Sequence, residues 1–129
     1  MSVSSVPACG SALPTARRTL VKFAQEQGVP DEIVSDMSLA SYEAMANIVE
    51  HAYPARSDGT FDVQAQFDDS RRELTVVLTD HGRWKNAPAS AGSFRGRGLA
   101  LIRACSHTAD IATGPEGTRV SLRWNCNDR

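Results

Sequence analysis

DEIVSDMSLASYEAMANIVEHAY, residues 31–53, is the stretch whose reading decides the fold. At about 100° per residue, Ile33, Val34, Met37, Ala40, Ala44, Met45, Ile48, Val49 and Ala52 cover one broad side of a helix. Asp36, Glu43, Asn47 and Glu50 collect in a sector of roughly 60°. A helix apolar over most of its circumference is buried, here against a sheet. In the polar stripe Glu43 and Asn47 stand one turn apart, so a carboxylate and a carboxamide can address one small ligand. The solvated side of an ordinary amphipathic helix looks the same, and the rest of the chain has to separate the two readings.

On the N-terminal side, residues 1–13 are rich in Ser, Ala, Pro and Gly and predict either a mobile tail or a weak edge strand. From Pro14 onward Ala16, Leu20, Phe23 and Ala24 recur at helical spacing, with Arg17 and Arg18 exposed and Gly28 as a left-handed stop. Asp31 is the expected N-cap of the long helix and Pro54 its end.

On the C-terminal side the period changes to two. Phe61, Val63, Ala65 and Phe67 alternate with polar residues, as do Leu74, Val76 and Leu78, and Asp68, Asp69 and Ser70 between them predict a hairpin turn. Asp80, His81 and Gly82 end the second strand, and a long polar loop follows over 83–95. Gly96, Arg97 and Gly98 open a third helix over LALIRACSH, with Leu99, Ile102 and Ala109 expected to face inward. Ile111 is placed in a short strand. After the turn at Gly114, Pro115, Glu116 and Gly117, Val120, Leu122 and Trp124 share one face of a last strand.

A chain of 129 residues fits one domain with one core. A net charge of −1 argues against a surface built for nucleic acid. No apolar run approaches the ~20 residues of a membrane span, and MSVSSVPACG lacks the features of a signal peptide, so a cytoplasmic protein is expected. Cys9, Cys105 and Cys126 have no paired C-x-x-C spacing and are read as free thiols, with Cys105 expected to be buried.

Three further features bear on chemistry. Asp80 ends a buried strand, and Gly82 would let a flat ligand approach the backbone while the carboxylate accepts a hydrogen bond; Asp-x-Gly is also an ordinary turn. Gly96 and Gly98 at a helix start leave N–H groups that can cradle an anion. Thr118 could point its hydroxyl at the same place, although Thr is common at strand starts.

Taken together, Glu43 and Asn47 on a helix, Asp80-x-Gly82 at a strand end, Gly96-x-Gly98 and Gly117-Thr118 resemble, in order and spacing, the nucleotide-binding boxes of the GHKL (Bergerat-fold) ATPases. Within them YEAMANIVEHAYP, LTDHGRW, RGRGLALIRACS and GPEGTRVSLRW are similar to the small anti-sigma-factor serine/threonine kinases. The resemblance covers about residues 14–125, within a single ATPase domain over 14–129. It implies an α/β (α+β) two-layer sandwich, with helices on one face of a mixed, mostly antiparallel sheet.

The resemblance also implies ATP and Mg²⁺ as cofactors, with Asn47 helping to hold the metal on the phosphates and Glu43 as catalytic base. Asp80 would read the adenine amino group, Gly82 would give the base room and Thr118 would support the adenine contact. The backbone of Gly96, Arg97 and Gly98 would hold phosphates, and Leu99 belongs to the same cofactor-binding segment. Arg95 and Arg97, which flank Gly96, are expected on phosphates or a partner, or else are two solvated arginines. His51 matches the end of the helical box, with a packing role expected. Trp84 departs from the family, which has a second glycine there, and is read as capping the pocket or packing the 82–98 lid. The implied function is an anti-sigma regulator that sequesters a sigma factor and phosphorylates an anti-sigma-factor antagonist, as a homodimer. The alternative is a nucleotide-binding switch without kinase activity. The catalytic half of a histidine kinase fits less well, because no helical hairpin with a phospho-acceptor His is seen; His51, His81 and His107 all fall inside the ATPase-like region.

Overall fold

A computed structural model describes residues 1–51, 59–82, 96–115 and 117–127. The chain runs β1 (Ser2–Pro7), a 3₁₀ turn (Gly10–Ala12), α1 (Leu13–Glu26), α2 (Asp31–His51), β2 (Thr60–Asp68), β3 (Glu73–Asp80), α3 (Gly96–Ala104), β4 (Thr108–Gly114) and β5 (Gly117–Asn125). The strands form one five-stranded sheet in the order β1-β2-β3-β5-β4. All pairings among the described residues are antiparallel, so the expected mixed, mostly antiparallel sheet has no parallel pair among them, while the α+β two-layer architecture is as expected. β4 does run parallel to β3, but its hairpin partner β5 inserts between the two, so no parallel pair forms.

Alternation sorts the sheet into two faces. Val63, Leu78 and Val120 stand in register across three strands, as do Ala65, Val76 and Leu122, and all six are buried. Leu74 and Trp124 form the next pair, with the Trp124 indole N–H donating to the Cys105 carbonyl at 2.7 Å. Leu13, Ala16, Leu20 and Ala24 of α1, and Val34, Met37, Ala40, Ala44, Met45 and Ile48 of α2, complete this core. Each large side chain buried there contributes about 1.5–3 kcal/mol, which keeps α1 and α2 on that one face. The opposite face carries exposed Gln64, Gln66, Arg119 and Arg123.

Local details correct several expectations. Arg17 is half-buried rather than exposed, because its Nε donates to Ser38 Oγ at 2.7 Å and its guanidinium lies 4.9 Å from the Tyr42 ring centroid, joining α1 to α2. Asp31 is the first residue of α2 and not its cap: the Pro30 carbonyl accepts from Ile33 and Val34, and Asp31 and Glu32 suit the positive end of the helix dipole. Gly28 does stop α1, with φ at 79°. α3 ends at Ala104, so Ala109 lies in β4 instead of on the helix. Cys126 is the buried thiol, while Cys105 is half-buried and Cys9 exposed; burial raises the pKa of both Cys126 and Cys105. Residues 1–13 include an edge strand, since β1 pairs with β2 through a bulge between Val3 and Val6. Among the described residues no helix is long and apolar enough to cross a membrane.

The β2–β3 turn is held by one carboxylate. Asp68 Oδ1 accepts from Ser70 N at 3.0 Å, Arg71 N at 3.1 Å and Ser70 Oγ at 2.9 Å. The Arg71 N–H and the Ser70 hydroxyl hold the Asp68 pKa below its ordinary value. A carboxylate lowered by folding stabilises above its unfolded pKa, and that contribution disappears as pH falls through the folded one. Asp68→Ala is therefore expected to lower the urea midpoint at about pH 7 and leave it closer to wild type at about pH 3. An equal loss at both pH values would rule out this origin.

Candidate functional site

The site residues are placed by three elements meeting at the helix-covered side of the sheet. β3 ends on Asp80, which pairs in register with Thr118 at the start of β5. Both side chains fall on the inward phase of the alternation, and they are only 1% and 2% exposed. Asp80 Oδ1 accepts from Gly82 N at 3.1 Å and from Thr118 N at 3.2 Å. Those two N–H groups donate to the same carboxylate oxygen and fix its orientation. So the structure brings Asp80, Gly82 and Thr118 together.

Glu43 and Asn47 lie on α2, which packs on β3, β5 and α3. Asn47 is 5% exposed and Glu43 half-buried, although both belong to the polar stripe. A purely solvated stripe would have left Asn47 exposed. Among the described residues the buried polar ones are Ser38, Ser41, Asn47, Asp80 and Thr118, so three of the five were singled out from the sequence. Asn47 Nδ2 and Thr118 Oγ1 are buried without a hydrogen-bond partner. An unsatisfied buried polar group costs about 1–3 kcal/mol, so a ligand able to bond them would recover that energy. Ser41 Oγ, also on α2, is a third such atom, and nothing in the structure explains it.

Gly117, read from the sequence as a turn residue and, with Thr118, as part of a nucleotide-binding box, also determines the geometry. Its φ is 137°, and a Cβ there would stand 2.0 Å from the Asp80 carbonyl oxygen. Only a residue without a side chain lets β5 come this close to the end of β3. The sequence signal was the glycine directly before Thr118; the close approach itself depends on long-range pairing.

Gly96, Arg97, Gly98 and Leu99 form the first residues of α3 by backbone, while their side-chain environments lie outside the described residues. Arg95, Trp84 and the rest of the 83–95 loop also lie outside them, as do the 52–58 segment and the His51 side chain.

The residues fit a nucleotide with a metal. A carboxylate acceptor oriented by two N–H groups suits an amino group on a base, and Thr118 Oγ1 offers a further polar atom beside it. The unpartnered Asn47 Nδ2 is a donor that suits a phosphate oxygen, and its Oδ1 is the atom that would ligate Mg²⁺, which is usually bound by one or two protein ligands together with phosphates and water.

The chain is thus an α+β two-layer sandwich with an oriented carboxylate at the end of β3 and unpartnered buried polar atoms on α2 and β5. The chain belongs to the histidine kinase-like ATPase domain family, whose profile matches residues 6–124. An ATPase domain implies ATP binding. The chain is similar to the crystal structure of the RsbU and RsbW domains of Rv1364c from Mycobacterium tuberculosis, with 25% identity, a TM-score of 0.79, and coverage of 100% of this chain and 33% of that one. It is also similar to the blue-light activated histidine kinase of Erythrobacter litoralis EL346, at 21% identity and a TM-score of 0.63, covering 76% of this chain and 32% of that one. The histidine kinase domain of the same protein matches at 18% identity and a TM-score of 0.63, with coverage of 93% and 61%. These last two likenesses show the fold alone. The chain spans about a third of the length of the Mycobacterium tuberculosis structure.

Proposed function

We propose that this chain binds Mg-ATP at Asn47, Asp80, Gly82 and Thr118, phosphorylates a serine or threonine of an anti-sigma-factor antagonist and sequesters a sigma factor. The observation that carries the nucleotide site is the pair of buried, unpartnered polar atoms, Asn47 Nδ2 and Thr118 Oγ1, together with the oriented Asp80 carboxylate. The regulatory part rests on the motif resemblance and on the likeness to a structure of RsbU and RsbW domains.

In this reading the Asp80 carboxylate accepts the adenine amino proton and rejects a base that presents a carbonyl there. Asn47 completes the metal shell, and Mg²⁺ supplies neutralisation of phosphate charge. Glu43, one turn from Asn47, accepts the proton of the attacking hydroxyl. Arg95 and the α3 start at Gly96, Arg97, Gly98 and Leu99 complete the phosphate side. The protein works as a homodimer.

Calorimetric titration of ATP with and without Mg²⁺ tests the site. Asn47→Ala is expected to weaken Mg-ATP binding by about 10–100-fold, the range for residues that support a metal site, and to remove the Mg²⁺ dependence. Equal affinity of both proteins under both conditions would overturn the assignment.

A further inference from the structure

Asp62 stands where three strands meet on the open face of the sheet, behind the nucleotide site. Its Oδ1 accepts from Ser5 N of β1 at 2.9 Å, and its Oδ2 lies 3.4 Å from His81 Nε2, just beyond β3. Asp62 is in register with Thr79, so alternation puts Asp62, Thr79 and His81 on the open face and Asp80 on the helix side. Ser5 has φ at 56°, a left-handed conformation that is uncommon for a non-glycine residue. It lies in the β1 bulge, and its N–H goes to Asp62 instead of to the strand ladder. The same His81 is bounded from the β5 side, where its Cα would be 2.9 Å from a Cβ on Gly117.

The geometry points to Asp62 as a positioning residue for Asp80. One carboxylate holds the β1 bulge with one oxygen and His81 with the other, and so fixes the peptide that carries the adenine-reading side chain. The inference rests on the nucleotide reading above and adds to it a mechanical link from edge strand β1 to the base pocket. Strand-end movement that leaves the core intact would then change base recognition more than phosphate binding.

The probes are ATP and inosine triphosphate, which carries a carbonyl oxygen where adenine has its amino group. Wild type should prefer ATP. Asp62→Ala and His81→Ala are each expected to weaken ATP by about 3–10-fold while leaving inosine triphosphate unchanged, and the double variant should be no worse than either single. In the nucleotide-free protein the amide resonances of Gly82 and Thr118, both bonded to Asp80 Oδ1, should shift in every variant. Equal loss for both nucleotides, or additive losses, would reduce Asp62 to a general stabiliser and overturn the inference. Wild-type preference retained in the variants overturns it alone, whereas a wild type without preference overturns the base-reading assignment of Asp80 as well. If Asp62→Ala does not fold, Asp62→Asn decides: it keeps an acceptor for Ser5 and loses the charge facing His81, and unchanged amide shifts with unchanged ATP affinity would refute the link.

Discussion

On the proposed kinase reading, replacing Glu43 by alanine is expected to lower phosphoryl transfer to the antagonist by about 10²–10⁴-fold and to leave Mg-ATP binding nearly intact. A general base acts on the proton of the attacking hydroxyl, which is in flight only in the transition state, so the bound nucleotide does not sense its loss. Glu43 sits half-buried on α2 one turn before buried Asn47, where a carboxylate can face a bound nucleotide and still be reached by a protein substrate. The measurement is transfer of labelled phosphate from ATP to an antagonist whose binding has first been shown independently. Parallel loss of binding and transfer would assign Glu43 to the nucleotide site instead of to the chemistry. Absence of transfer by wild type, with a verified partner present, would favour the switch without kinase activity.

The parts of this fold legible in the sequence are those governed by local periodicity. α2 could be read because its core residues recur with the helical period, and β2, β3 and β5 because theirs alternate. Periodicity also placed Asn47 on a polar stripe without showing that the stripe is buried at Asn47 and half-open at Glu43. β1 was ambiguous for a physical reason: in SVSSVP Val6 is the buried residue, so the strand is held by main-chain hydrogen bonds to β2, which leave no pattern in the side chains. The meeting of Asp80 with Thr118, 38 residues apart, follows from β5 inserting between β3 and β4, and only the motif resemblance pointed to it. Asp62 gave no signal, because its partners Ser5 and His81 are 57 and 19 residues away.

Gly117→Ala should be among the most damaging single-methyl changes in the chain, and Gly114→Ala almost silent. The two glycines face each other across the β4–β5 hairpin. A Cβ on Gly114 would meet nothing within 4 Å, whereas one on Gly117 would stand 2.0 Å from the Asp80 oxygen, 2.8 Å from the Asp80 carbonyl carbon and 2.9 Å from His81 Cα. All three are backbone atoms, which cannot swing aside as a flexible side chain can. The φ of 137° adds strain of about 1–3 kcal/mol for any residue with a Cβ, and forcing the strands apart adds about 1–3 kcal/mol more. A total on the order of 4 kcal/mol corresponds to a fall in Tm of about 15 °C for a chain of this size. The displaced peptide is also the one that carries the Asp80 carboxylate, so protein kept folded at low temperature should still bind ATP more weakly than wild type. A Gly117→Ala protein as stable as Gly114→Ala would mean that β5 does not approach Asp80 this closely, and the pairing that assembles Asp80, Gly82 and Thr118 would have to be abandoned with it.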